Sequence, residues 1–292
     1  MTAVDRRALT LIAVVILGCV DPAMARGKTR VPAFDVSGFS ANEATARWLL
    51  AYDFVAWKAT DVLLEEPDEL LKQLGREWFC FKDSDGLWHA VFGQFDPDTK
   101  SYRPMVHYVR HDDSVVRTDD AVDAALAARY GGAIHSALGQ LPAAVRDLGV
   151  TFNHYVRPIE SDKLEVWFLP SLQQDNTLVF GGDLRFVVDP TGSEVLEQQA
   201  NFKAFRGIQP SSTTELVIDR QENELPSVGD IFVILQFGHE FKSITISTHC
   251  YLTRMLTDDG KDLAWFHAER STKECTKKAR KRSTVPKPTL HE

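Results

Sequence analysis

The 292 residues include only four cysteines and four methionines, and no Cys-x-x-Cys occurs. Thiol-disulfide exchange motifs and zinc ribbons need that spacing, so neither chemistry has support. The apolar run Ala8 to Val20 stops at 13 residues, whereas a helix needs ~20 apolar residues to cross a bilayer. A phosphate-cradling glycine loop, a Gly-x-Ser-x-Gly elbow and an EF-hand loop are also missing. Over the body of the chain acidic side chains outnumber basic ones, and the end is strongly basic. The last twenty residues carry seven basic side chains against two acidic ones, which leaves −13 for the rest of a chain whose formal charge is −8. Nucleic-acid affinity rests on a basic face that neutralises phosphates, so no nucleic-acid partner is expected.

What is present is the composition of a globular protein, 44% hydrophobic and 25% charged. The N-terminus has the order of a secretory signal: Arg6-Arg7, the apolar run, then Ala23-Met24-Ala25. Cleavage after Ala25 would leave Arg26 first. Ile16-Leu17-Gly18-Cys19 resembles a bacterial lipobox, with Leu17 departing from the usual small residue, and would instead place a lipid on Cys19. Arg6-Arg7-Ala8-Leu9 resembles a twin-arginine export signal, which Asp5 and Thr10 fit poorly. The chain is thus expected outside the cytoplasm, in the periplasm or secreted, or lipid-anchored in the envelope. Contact with a membrane would come through Cys19 lipidation or the basic tail. The segments expected are a signal at 1–25, a flexible leader at 26–39, one α+β domain at 40–270 with a sub-boundary near 150, and a basic disordered tail at 271–292.

Periodicity predicts an α+β fold: N-terminal helices and a β-hairpin region, a long central helix, then a largely antiparallel β-sheet. Ser40-Ala-Asn-Glu43 has the form of a capping box for a helix to about Thr60, with Ala44, Trp48, Tyr52, Val55 and Ala59 as its apolar stripe. Pro67 suits the first turn of a short helix that Gly75 stops. Asp83-Ser-Asp-Gly86 turns one aromatic strand into the next, and a third runs from Tyr102 to Arg110. Thr118-Asp-Asp120 should cap the longest helix, broken or bent at Gly131-Gly132 and continued through Leu148. From Thr151 every apolar segment reads as a strand, including Ile231 to Phe237 and Ser243 to Thr253.

No catalytic signature accompanies this pattern. Gly181-Gly-Asp-Leu-Arg185 departs from the diguanylate cyclase signature at Leu184 and Arg185, and reads as a bulge or tight turn. His239-Glu240-Phe-Lys-Ser243 puts a serine where a zinc protease needs its second histidine. His107, His111 and Asp112 are the metal candidates. On a strand, however, two histidines four apart lie ~13 Å from each other. His107, His111 and His249 are the catalytic candidates, His249 as a general base near Tyr251. No cofactor is expected. Once Cys19 leaves with the signal, Cys80 and Cys250 fall in apolar strand patterns and Cys275 in the polar tail. That odd count leaves room for one disulfide and one free thiol.

The leading expectation is an exported, non-catalytic binding or envelope-interaction protein whose partner is an envelope protein or a small ligand. The alternative is an exported hydrolase or metal-dependent enzyme using His107, His111 or His249. Fractionation of the native host should recover the protein outside the cytoplasm, with Arg26 as the N-terminal residue or a lipid on Cys19. A cytosolic chain retaining residues 1–25 would contradict the export reading.

Overall fold

The computed structural model describes residues 33–141, 145, 149–173, 176–201, 205–211, 213–258, 261–270 and 275. The signal segment, Cys19, the tail other than Cys275, and the helix continuation to Leu148 other than Val145 lie outside the described residues.

Helix α1 (Val36–Leu63) starts at Asp35, whose Oδ1 accepts the Gly38 N–H at 3.0 Å. The expected start at Ser40 was too late, because the Asp35 carboxylate already satisfies the open N–H groups upstream. The last residues assigned to a flexible leader are thus the first turn of a helix. Its inner face carries Phe39, Ala46, Leu49, Tyr52, Val55, Ala56, Ala59 and Leu63. The short α2 (Asp68–Leu71) follows Pro67.

Strands β1 (Phe79–Lys82), β2 (Trp88–Asp96), β3 (Ser101–His111) and β4 (Ser114–Arg117) form an antiparallel sheet in chain order. Asp83 Oδ1 accepts the N–H groups of Asp85 and Leu87 and Gly86 takes φ +81°, which closes the first turn. Strand β4 had no counterpart in the sequence reading, and a left-handed Asp112 folds it back on β3. Helix α3 (Ala124–Gly139) is capped by Asp123, whose Oδ1 accepts a hydrogen bond from the Leu126 N–H at 2.7 Å, and not by the expected Thr118-Asp-Asp120. It has 16 residues, so among the described residues the expected long central helix is not found, and the longest helix there is the 28-residue α1. Gly131 and Gly132 do not interrupt it. A Cβ on Gly131 would sit 2.5 Å from the Tyr102 ring, so the pair of glycines brings the helix close to the sheet.

Next come β5 (Phe152–Pro158), β6 (Leu164–Pro170), β7 (Leu178–Phe180), β8 (Leu184–Val188) and β9 (Val195–Ala200). All but β7 make a second antiparallel sheet, ordered β5-β6-β8-β9, and β7 pairs with β10 (Arg206–Ile208). The third sheet orders β11 (Glu215–Arg220), β12 (Ser243–Thr248), β13 (Tyr251–Asp258) and β14 (Lys261–Glu269). The single strand expected from Ser243 to Thr253 is broken at His249 and Cys250 into β12 and β13. Strands β11 and β12 are parallel and are joined by α4 (Val228–Phe237), so the described residues include a βαβ unit and residues 231–237 are not a strand.

The reason α4 resembles a strand is its burial. One flank, with Val228, Ile231 and Phe232, joins α1 and the first two sheets in one core, and the other, with Val233 and Ile234, joins the third sheet. A helix covered on both sides carries no polar stripe, and its apolar run loses the helical period. Only its start is marked, by the reciprocal cap between Ser227 and Asp230.

The first two sheets lie edge to edge, β1 beside β5. Helix α3 covers one face of both, over Phe79, Val91, Val166, Phe168 and Phe186, and α1 covers the other, over Cys80, Ala90, Phe92, Tyr155 and Trp167. At the seam, His154 on β5 donates from Nε2 to the Trp78 carbonyl at 2.6 Å. Burial pulls His154 down to about 4 from the ordinary 6.5. As pH falls through that interval the unfolded chain takes up this proton and the folded one does not. The stabilisation present above the unfolded value is therefore lost toward the folded one, about 3 kcal/mol in all. His154→Gln keeps a donor for Trp78 and should flatten the fall in urea midpoint between these two pH values. Parallel pH curves for variant and wild type would contradict the assignment.

Candidate functional site

The stripe of α1 that enters the core is apolar except at Asp53, which is 9% exposed. A buried carboxylate is costly unless donors surround it. Asp53 Oδ1 accepts from the Tyr155 hydroxyl at 2.8 Å and Asn153 Nδ2 at 3.1 Å, and Oδ2 accepts from Gln236 Nε2 at 2.8 Å. The three donors come from two elements, β5 and α4, which bracket α1. No cation accompanies them: among the described residues, Asp53 makes hydrogen bonds but no ion pair. Burial raises Asp53 above its ordinary value, and the Tyr155, Asn153 and Gln236 hydrogen bonds oppose the rise. Burial and then the Asp53 charge raise the Tyr155 hydroxyl in turn, so it stays a donor.

Asp53 lies in the wall of a cleft of about 580 Å³, together with Trp57, Thr60, Trp78, Leu172, Phe232 and Phe237. His239 and Glu240, paired at 3.2 Å and exposed, also line it. An aromatic and aliphatic wall around a few convergent polar groups is the usual make-up of a small-molecule site. A carboxylate with three accepted bonds has room for about one more. A ligand offering an ammonium group or another strong donor would supply the missing countercharge, and aromatic faces favour cations as well.

A second cleft, of about 370 Å³, lies over the second sheet between Asn42, Glu165, Arg185, Gln199, Asn201 and Asn223. Its charges are already matched, with Glu165 held by Arg157 at 2.6 Å and by Arg185 at 2.5 Å. Burial pushes Glu165 up, but the Arg157 charge, the Trp167 indole and Arg185 pull it to a net value below the usual carboxylate range. Nearby, burial and then the Asp230 charge push Asp183 up to about 6, while Asp230 itself is clasped by Arg220 at 2.8 Å.

The histidines singled out from sequence lie apart. His107 is buried on β3 and lines a third cleft with Met105, Arg117 and Asp120. Its Nδ1 contacts the Asp120 carbonyl at 3.0 Å and its Nε2 contacts His89 Nδ1 at 2.9 Å, while His89 Nε2 contacts Asp83 Oδ2 at 3.0 Å. A carbonyl only accepts, so His107 carries its proton on Nδ1 and accepts on Nε2. All three contacts are then hydrogen bonds when His89 bears both ring protons. Burial lowers the His107 pKa, and the hydrogen bond from His89 holds Asp83 below the usual range. His111 is exposed at the end of β3, next to the turn residue Asp112. His249 sits in the turn between β12 and β13, with its N–H on the Asn223 carbonyl, and lines a small cleft with Asp35 and Tyr251. Among the described residues no three His, Cys, Asp or Glu side chains come close enough to hold a metal ion.

Asp53, Asn153, Tyr155 and Gln236 were not singled out from sequence. The one available signal was a charge on the buried stripe of α1, where the neighbours at three and four residues are apolar. No protein family, curated protein or solved structure matches the chain.

Asp53→Ala strands three buried donors and should lower stability by about 3 kcal/mol. Asp53→Asn should cost under about 1 kcal/mol, since Gln236 can turn its amide to present oxygen. Because its pKa is raised, folded Asp53 keeps its proton to higher pH than in the unfolded chain. Its contribution is best below the unfolded value and is lost as pH rises through the folded one. Asp53→Asn should therefore gain on wild type from mildly acidic pH to neutrality. Urea unfolding at both ends of that range measures it, and a widening deficit of the variant toward neutrality would refute the raised value.

Proposed function

We propose that the protein is an exported binding protein of the cell envelope that holds a small ligand in the cleft over Asp53. The ligand class is an amine or other strong hydrogen-bond donor attached to an apolar or aromatic body. The observation that carries this reading is a buried carboxylate without a cation, set in the wall of an aromatic cleft. The volume of about 580 Å³ falls within the ~300–1,000 Å³ of ordinary ligand sites. Export rests on the order of the N-terminal residues, and an acidic body supports a ligand of opposite charge over a nucleic acid. The enzyme alternative has less support, because among the described residues His107 and His249 line different clefts and His111 is exposed at the end of β3.

The experiment is native mass spectrometry of the mature protein from its own host, with tryptophan fluorescence titration by 2-phenylethylamine as the defined probe. Native mass above the denatured mass is expected, lost in Asp53→Asn. The amine should shift the Trp57 and Trp78 emission, with affinity about tenfold weaker in Asp53→Asn, or 1.4 kcal/mol. Equal native and denatured masses together with a silent titration, or equal binding by the variant, would overturn the proposal.

A further inference from the structure

Cys275 does not behave as a tail residue. It is fully buried, and it shares a small apolar cluster with Cys250 and Tyr251, against which Phe34 packs. Its Sγ lies 3.5 Å from the His249 carbonyl, directly before Cys250 in the chain. Cys250 and Cys275 are both free thiols packed in that one cluster, and burial, then a hydrogen bond and charge from Cys275, push Cys250 up to about 12. The backbone around them is pinned. Arg270 N–H donates to the Cys250 carbonyl at 2.9 Å, and the Arg270 guanidinium donates to the Thr248 carbonyl at 3.1 Å. The remaining described cysteine is elsewhere. Cys80 sits in β1 beneath α1, in a different core, with its N–H on the Tyr52 hydroxyl at 2.8 Å.

We propose that Cys250 and Cys275 are the disulfide pair of this protein and that Cys80 stays a free thiol. The reaction is thiol-disulfide exchange with an external disulfide, such as oxidised glutathione or an oxidising protein of the export compartment. One cysteine thiolate attacks the external disulfide and releases one thiol. The second then displaces the other half from the mixed disulfide. Two S–H bonds and one external S–S bond are lost and one internal S–S bond is gained; the two electrons and two protons leave on two external thiols. A raised Cys250 pKa makes the step slow at neutral pH and faster in mild alkali. The bond would fasten the chain just before Lys277, Lys278, Arg280, Lys281 and Arg282 to the turn between β12 and β13. It would do so beside Phe34, whose ring stacks on His267 at 3.9 Å and so also anchors the start of α1. The inference is independent of the Asp53 cleft.

The test treats the purified mature chain with oxidised glutathione at mildly alkaline pH, denatures it, alkylates remaining thiols with iodoacetamide without reduction, and maps peptides by mass spectrometry. Expected is a linked peptide pair containing Cys250 and Cys275, two hydrogens lighter than the sum of its parts, with Cys80 alkylated in the same sample. Cys80→Ser should keep the link and Cys275→Ser should abolish it. Alkylation of all three cysteines, a link through Cys80, or glutathione retained on Cys250 or Cys275 would each overturn the pairing.

Discussion

The carboxylate of Asp53 is the point at which three distant parts of the chain meet. Its hydrogen bonds reach across 100, 102 and 183 residues, to Asn153, Tyr155 and Gln236. Two of the bonds tie α1 to β5 and the third ties it to α4, so the helix is oriented about its own axis as well as held against the sheets. Apolar packing alone tolerates small rotations of a helix. A buried carboxylate with three directional donors does not, because any rotation strands a desolvated group. Tyr52, one position earlier, completes the arrangement by taking the Cys80 N–H at the edge of the first sheet.

Around that point the molecule is organised as one central helix with cover on several sides. The first two sheets meet edge to edge beneath α1, and α4 lies along it while turning its other flank to the third sheet. The charged groups follow the same economy. Glu165 is shared by Arg157 and Arg185, and Asp230 is clasped by Arg220. Among the described residues Asp53 and Asp183 are buried carboxylates held by amides or hydroxyls rather than by an ion pair, and Asp53 is the one that borders an aromatic cleft.

Much of this was legible in the residues. The turn Asp83-Ser-Asp-Gly86 announces the first hairpin because the side chain of Asp83 makes the bonds that close it. The mixed α+β class follows from helical stripes and alternating strands, and β8 shows its alternation in Leu184, Phe186 and Val188. Other features were hidden for physical reasons. The start of α1 was misplaced because two N-capping sequences stand close together and the earlier prevails. Helix α4 was hidden by burial on both flanks, and with it the parallel pairing of β11 and β12. Gly131 and Gly132 looked like breakers, since the groups that crowd them, the Tyr102 ring at Gly131 and the Gly192 carbonyl at Gly132, belong to other parts of the chain. The cleft was illegible for the same cause: Asn153, Tyr155 and Gln236 become one set of donors only after two chain reversals and a crossover.

The separation of those partners sets a timetable. Synthesis proceeds at ~5–20 residues per second, so Asp53 is made about nine to thirty-seven seconds before Gln236, 183 residues later, exists to meet it. Throughout that interval the apolar flank of α1 that packs on Val228, Ile231 and Phe232 stays bare on the nascent chain. Such a flank is a ready substrate for a holdase chaperone, and a polypeptide truncated before Val228 would keep it uncovered where α4 belongs. The feature that orients the first helix in the finished protein therefore makes its folding wait for the last third of the chain.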